Sequence, residues 1–215
     1  MKYKAILFDF DGTLADTLPV CFYSFQMIFS KFDNRVMSNE EIISMFGPSE
    51  VGIIQNNLQN KDQLNEAIEE YYHFYEREHN NLVRVNQDII DLIRIVQQKG
   101  ILIGIVTGKG RRSYEISVNK LFPVGIFNIS ITGDDVVDPK PHPEGIIKAM
   151  NILNCSPHEI LFVGDSNADI EAGTRANVKT VGVNWLENSH GSKFLIKPDY
   201  EFMRVSDFMR KFLDS

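Results

Sequence analysis

The chain has 215 residues, 43% hydrophobic and 24% charged, with a net charge of −7. That is an ordinary globular balance, enough for one large domain or a domain with an insert. The negative charge argues against a nucleic-acid polymer or an anionic membrane as partner, and two distant cysteines, Cys21 and Cys155, exclude a C-x-x-C zinc or redox motif.

Met1-Lys2-Tyr3-Lys4 leads directly into a strand, without the apolar stretch of a signal peptide. No apolar run approaches the length that spans a bilayer. Two free thiols suit a reducing compartment, so a soluble cytoplasmic protein is expected.

Lys4-Ala5-Ile6-Leu7-Phe8 is nearly all apolar and predicts a parallel strand buried on both faces. Asp9 and Asp11 follow where it must end, and Gly12 permits a sharp bend. Strand ends of open parallel sheets are where ligands bind. Two carboxylates this close need a cation, a proton or hydrogen bonds, although an acidic turn is the simpler alternative.

From Pro19 to about Phe32 the chain predicts a helix apolar around most of its circumference, with Pro19 in its first turn. Ser38-Asn39-Glu40-Glu41 reads as a capping box opening a short helix. Phe46-Gly47-Pro48-Ser49-Glu50 interrupts, and a helix from Glu50 to about Leu58 follows. Asp62 to about His79 carries Leu64, Ala67, Ile68, Tyr71, Tyr72 and Tyr75 at helical spacing. Its aromatic face reads as packing rather than as a substrate stripe.

Asn86 to Lys99 predicts a further amphipathic helix that Gly100 stops. Alternation follows: a strand over Ile101 to Val106, a helix from Arg111 to Leu121, a strand over Phe127 to Thr132. A helix from His142 to Leu153, a strand from Ile160 to Val163, a helix from Asn167 to Arg175 and a strand from Lys179 to Val183 come next. Ser206 to Leu213 predicts a closing helix. Strands separated by helices predict a Rossmann-like α/β fold, a parallel sheet with helices on both faces. Residues 1–15 and 84–215 are assigned to this core, and 16–83 to an inserted all-helical domain.

Four strand ends carry polar groups: Asp9 and Asp11; Thr107-Gly108; Gly133-Asp134-Asp135 with Lys140 beyond; and Gly164-Asp165-Ser166-Asn167-Ala168-Asp169. In a parallel sheet these ends share one edge. Clustered carboxylates offer hard oxygen ligands for Mg2+. Thr107 and the N–H groups near Gly108 suit phosphate oxygens, with Lys140 as a fixed positive charge. One carboxylate can attack phosphorus while another moves protons. Asp134 and Asp135 read mainly as turn residues. Gly104 to Gly110 fails as a nucleotide P-loop, since its first interval is short and Gly110 stands where Ser or Thr would meet Mg2+. Lys109 there is expected to be exposed, within reach of a substrate as the alternative.

Asp9-Phe10-Asp11-Gly12-Thr13-Leu14 resembles the first motif of the haloacid-dehalogenase-like phosphohydrolases. Thr107 resembles the second, Lys140 before Pro141 the third, and Gly164 to Asp169 the fourth. The helical insert resembles the cap of the phosphoglycolate-phosphatase-like branch. The resemblance implies that Asp9 is the nucleophile forming an aspartyl-phosphate and Asp11 the proton donor and acceptor. It implies Mg2+ held by the Asp9 and Asp165 side chains and the Asp11 carbonyl. Thr107, Gly108 and Lys140 would bind the phosphoryl group, with Asp169 supporting Lys140 or metal-bound water. A cap closing over the site would exclude bulk water, and Gly47-Pro48-Ser49-Glu50 lies where related caps lower a loop toward it. The implied substrate is a small phosphorylated metabolite, either a phosphomonoester or pyrophosphate. A β-phosphoglucomutase-like mutase is the nearest rival, although Thr17 to Phe22 lacks the His usual there. A phosphoacceptor signalling receiver is the alternative from another class.

Overall fold

The computed structural model describes residues 3–189 and 194–214. Six strands form one parallel sheet: β1 (Ala5–Phe8), β2 (Leu102–Val106), β3 (Ile129–Ile131), β4 (Ile160–Gly164), β5 (Lys179–Val183) and β6 (Tyr200–Phe202), in the order β3-β2-β1-β4-β5-β6. β1 is central. Phe8 is paired with Ile105 on one side and Val163 on the other. The chain steps outward from β1 to β3, then returns to the opposite side of β1 as β4. That reversal opens a crevice beyond the carboxyl ends of β1 and β4.

The four residues of β1 are all buried. Alternation sends Ile6 and Phe8 to one face of the sheet and Ala5 and Leu7 to the other. On the first face they meet Leu92, Ile93 and Val96 of α5 (Gln87–Gln98) and Phe208 of α9 (Val205–Phe212). On the second they meet Ile146 and Ala149 of α7 (Glu144–Leu153) and Ala172 of α8 (Asn167–Arg175). Each of the larger side chains buried here is worth about 1.5–3 kcal/mol. A continuous apolar run therefore settles as a central strand with both faces covered.

Between β1 and β2 come α1 (Leu18–Asp33), α2 (Asn39–Ile43), α3 (Glu50–Asn57) and α4 (Leu64–Leu82). They surround a separate apolar cluster that includes Phe25, Phe29, Tyr71 and Tyr75. α1 buries residues on most sides and ends at Asn34, whose φ of 52° breaks the helix. The Ser38–Glu41 capping box opens α2. The tyrosine face of α4 packs inward, as its spacing predicts. Among the described residues no helix is long and apolar enough to cross a membrane.

Three elements differ from expectation. β6 is absent from the sequence reading; it is a three-residue edge strand, too short to show a pattern. β3 covers only Ile129–Ile131; next to it the Asn128 N–H donates to the Ile103 carbonyl at 2.8 Å, while the Asn128 side chain accepts the Ile103 N–H at 2.7 Å. α7 starts at Glu144 because Pro141 and Pro143 block helical pairing before it. The Lys140–Pro141 peptide is cis.

Candidate active site

Asp9 continues β1 by one residue, its N–H donating to the Val163 carbonyl at 2.8 Å. This fixes its carboxylate at the centre of the sheet edge, 6% exposed. The chain then turns tightly: the Phe10 carbonyl accepts from the N–H groups of Leu14 and Ala15 at 2.9 and 3.0 Å. Gly12, at φ +80°, is required twice over. A side chain there would be strained, and its Cβ would lie 2.3 Å from Asp165 Oδ2.

Asp165 follows β4, beside β1, and is 1% exposed. The Thr13 hydroxyl donates to its Oδ1 at 2.9 Å, tying the two loops together. Asp169 sits in the first turn of α8 in a capping box with Ser166. Its Oδ2 accepts from the Ser166 N–H and hydroxyl at 3.0 and 2.6 Å. Its Oδ1 accepts from Lys140 Nζ at 2.5 Å. The same ammonium lies 2.8 Å from Asp9 Oδ1. Lys140 thus bridges a carboxylate anchored on a helix and a carboxylate at the sheet centre.

Burial raises the Asp9 pKa above the ordinary carboxylate range; Lys140 opposes the rise, and Asp169 and Asp165 add to it. Burial would lower the Lys140 pKa, but Asp169 and Asp9 outweigh it and the net shift is upward. Lys140 is therefore a permanent cation at neutral pH.

Asp11 points elsewhere. Its Oδ1 accepts from the Thr17 hydroxyl. Lys109 Nζ lies 3.2 Å from the same oxygen. Sequence reasoning expected Lys109 to be exposed; instead it is 5% exposed. Glu50, the first residue of α3, covers it and stands 3.5 Å away. Burial would depress the Lys109 pKa, but Asp11, Cys21, Tyr75 and Glu50 reverse this and raise it. Cys21 is a free, buried thiol, pushed up to about 12 by burial against the opposing pull of Lys109.

Thr107 lies just beyond β2, its N–H donating to Ile131 at 3.0 Å and its hydroxyl accepting from the Lys109 N–H at 3.2 Å. Gly108 follows, next to open space. Asp134 and Asp135 stay out of the site: Asp134 accepts the Arg111 N–H at 2.7 Å and Asp135 accepts from Thr132.

Of the seven residues singled out, Asp9, Asp11, Thr107, Gly108, Lys140 and Asp165 line one cavity of about 460 Å3, while Asp169 stands behind Lys140. The opposite wall is apolar, with Leu18, Phe25, Phe46 and Ile53 among its residues. Phe46, Gly47, Pro48 and Glu50 reach the cavity from the helical segment. Glu50 belongs to the Gly47-Pro48-Ser49-Glu50 stretch expected to approach the site, although nothing in the sequence pairs it with Lys109, and Thr17 carried no distinguishing sequence signal.

Carboxylate oxygens of Asp9, Asp165 and Asp169 come within 4.8 Å of one another. Such a hard-oxygen set fits Mg2+. Lys140 and Ser166 already engage both Asp169 oxygens, so within this set the Asp9 and Asp165 carboxylates are the ones that could hold such an ion.

The family model for haloacid dehalogenase-like hydrolases matches residues 6–183. Pyrophosphatase PpaX of Bacillus mycoides (strain KBAB4) is 32% identical over 211 residues, covering 97% of this chain and 96% of that protein. Among solved structures, one described as a predicted phosphoglycolate phosphatase from Haemophilus somnus superposes with a TM-score of 0.84 at 22% identity, over 98% of both chains. CbbY of Rhodobacter sphaeroides, solved with phosphate, gives 0.83 at 20% identity over 96% of both. At those identities the two structures establish the shared fold.

Proposed function

This chain belongs to the haloacid dehalogenase-like hydrolase family, and from that premise we propose that it is a Mg2+-dependent phosphohydrolase. Its substrate is a small phosphomonoester or pyrophosphate, and Asp9 carries the phosphoryl group between the two half-reactions. Residues 16–83 act as the cap, with 1–15 and 84–215 as the catalytic core. The observation that carries the reading is the separation of two carboxylates one residue apart. Asp9 faces Lys140 among Asp165 and Asp169, whereas Asp11 faces Lys109 and Thr17. Different surroundings give different chemical roles.

In this reading an Asp9 oxygen bonds to phosphorus as the bond to the leaving oxygen breaks. Asp11 gives its proton to that leaving oxygen. Asp11, now a carboxylate, then takes a proton from water; the water oxygen bonds to phosphorus and the Asp9–phosphorus bond breaks. Thr107, the Gly108 N–H and Lys140 hold the phosphoryl oxygens, and Asp169 keeps Lys140 in place. The Asp9 and Asp165 side chains and the Asp11 carbonyl would hold Mg2+, which would supply charge neutralisation for the transferring group. The cap keeps bulk water from the phosphoryl carrier. The two free thiols, Cys21 and Cys155, suit a reducing compartment, and the cytoplasm is the location in this reading.

Purified protein is assayed for phosphate release from a panel of phosphorylated metabolites and pyrophosphate with Mg2+. Asp9→Asn is expected to remove turnover while retaining the unfolding profile, and excess EDTA to silence the native enzyme. Sustained turnover by Asp9→Asn sinks the nucleophile assignment; full activity in EDTA sinks the metal.

A further inference from the structure

Lys109 and Glu50 form a second buried charge cluster, and the reaction above gives neither a role. Lys109 lies in the loop after β2; Glu50 opens α3 on the cap side. Their side chains are 1% and 5% exposed. The ammonium lies 3.2 Å from Asp11 Oδ1 and 3.5 Å from Glu50 Oε1. Cys21 Sγ is 3.3 Å from it, and the Tyr75 ring centroid 4.7 Å.

The second Glu50 oxygen accepts the Gly110 N–H at 2.6 Å, and its first accepts from the Ser113 hydroxyl. These are the opening groups of α6 (Arg111–Leu121), whose N-cap, Gly110, has no side chain of its own. The core surface is cut away where this loop lands. A Cβ on Gly110 would lie 2.5 Å from Glu50 Oε2, and one on Gly133 would lie 3.2 Å from Ser49 Cβ.

A buried carboxylate is costly unless fully partnered. A tether from cap to core needs only the Gly110 and Ser113 bonds. A neutral acceptor would serve those two bonds; they do not account for a buried negative charge whose Ser113-bonded oxygen, Oε1, also stands 3.5 Å from Lys109, the ammonium whose other charged partner is Asp11. We propose that Glu50 is a positioning residue: it shares Lys109 with Asp11 and thereby fixes where the Asp11 carboxyl stands when a leaving group is protonated. The inference rests on Asp11 being the proton donor. Without the Glu50 charge the ammonium has Asp11 as its remaining carboxylate, closes on it, and draws it from the leaving oxygen. Because Glu50 comes from the helical segment, Asp11 is held ready only while that segment is seated on the core.

The test exploits leaving-group chemistry. 4-Nitrophenyl phosphate expels a stable phenolate that needs no proton, whereas 2-phosphoglycolate expels an alkoxide that does. kcat/KM reports every step through departure of the leaving group. Glu50→Gln keeps the shape and an acceptor for Gly110 while removing the charge. It should lose about tenfold or more on phosphoglycolate, part of the 10²–10⁴-fold that general acids contribute, and about twofold or less on the aryl ester. Lys109→Met should show the same bias. The double variant should be no worse than the worse single, since both act through one contact. Ser113→Ala, which weakens the tether and spares the charge, should show no such bias. Equal losses on both esters, or additive losses in the double variant, overturn the proposal. Turnover surviving in Asp9→Asn would instead overturn the underlying reaction, so the two failures are distinct.

Discussion

Gly12→Ala probes the centre of the site through a single methyl group. Two costs can be separated. The backbone at φ +80° is left-handed, which costs a non-glycine residue about 1–2 kcal/mol. The new Cβ would stand 2.3 Å from Asp165 Oδ2, where ordinary contact begins near 3.4 Å, so the carboxylate must retreat by about 1 Å. Asp165 is 1% exposed and its Oδ1 is held by Thr13 at 2.9 Å, so that retreat breaks the bond. A hydrogen bond to a charged group is worth about 1.5–3 kcal/mol. The sum is about 2.5–5 kcal/mol, a fall in Tm on the order of 10 °C for a chain of this size. Gly100→Ala supplies the reference, because Gly100 has φ +71° and open space around it. It should show the strain alone, about 1–2 kcal/mol and a few degrees. Calorimetry gives both melts, and Mg2+ titration of phosphate release gives the second readout. Loss of about 1.4 kcal/mol of metal binding raises half-activation about tenfold. Gly12→Ala should exceed that shift, and Gly100→Ala should leave it unchanged. Equal melts and equal Mg2+ dependence in the two variants would refute the packing of Gly12 on Asp165.

Lys140→Met strands two buried carboxylates, and breaking such a pair costs about 3–5 kcal/mol. Adding Asp169→Asn should restore part of the stability, read by urea unfolding, and none of the activity; a single variant as stable as the native protein would show that Lys140 does not neutralise these groups. His79, bonded to Ser117 at 3.0 Å, is pushed down to about 4 by burial and by Lys120 and Lys109. An unfolded chain takes up that proton near pH 6.5 and the native one near 4, so this contribution is full above 6.5, falls through that window and is gone below it. Between pH 7 and 5 the native protein should lose about 2 kcal/mol more than His79→Gln, and parallel pH profiles would contradict it.

The strands that build the site were legible because a central parallel strand must be apolar on both faces. Ala5–Phe8 and Ile160–Gly164 are such runs, and a carboxylate at the end of each can lie only on the sheet edge. Lys140, between prolines, was legible because its turn has little conformational freedom. The order of the strands was not legible, since pairing depends on crossovers that leave no local pattern. Lys109 shows the limit most clearly. Gly-Lys-Gly after a strand reads as an exposed turn, and locally it is one. It is buried because Glu50, fifty-nine positions earlier, folds back over it. Glu50 in turn sits in a Pro-Ser-Glu helix start that looks like ordinary capping chemistry.

The two lysines are used in parallel ways. Lys140 lies between Asp9 and Asp169, and Lys109 between Asp11 and Glu50. In each pair one carboxylate is anchored at the start of a helix: Asp169 within the capping box of α8, Glu50 on the Gly110 N–H and the Ser113 hydroxyl at the start of α6. Each ammonium is therefore shared between a carboxylate anchored at a helix start and a carboxylate from the loop after β1. With Asp165 added, five carboxylates meet two ammonium groups around one cavity. An arriving phosphate deepens that negative excess. In the proposed reading a divalent cation would supply part of that balance, and the Asp9 and Asp165 carboxylates would hold it.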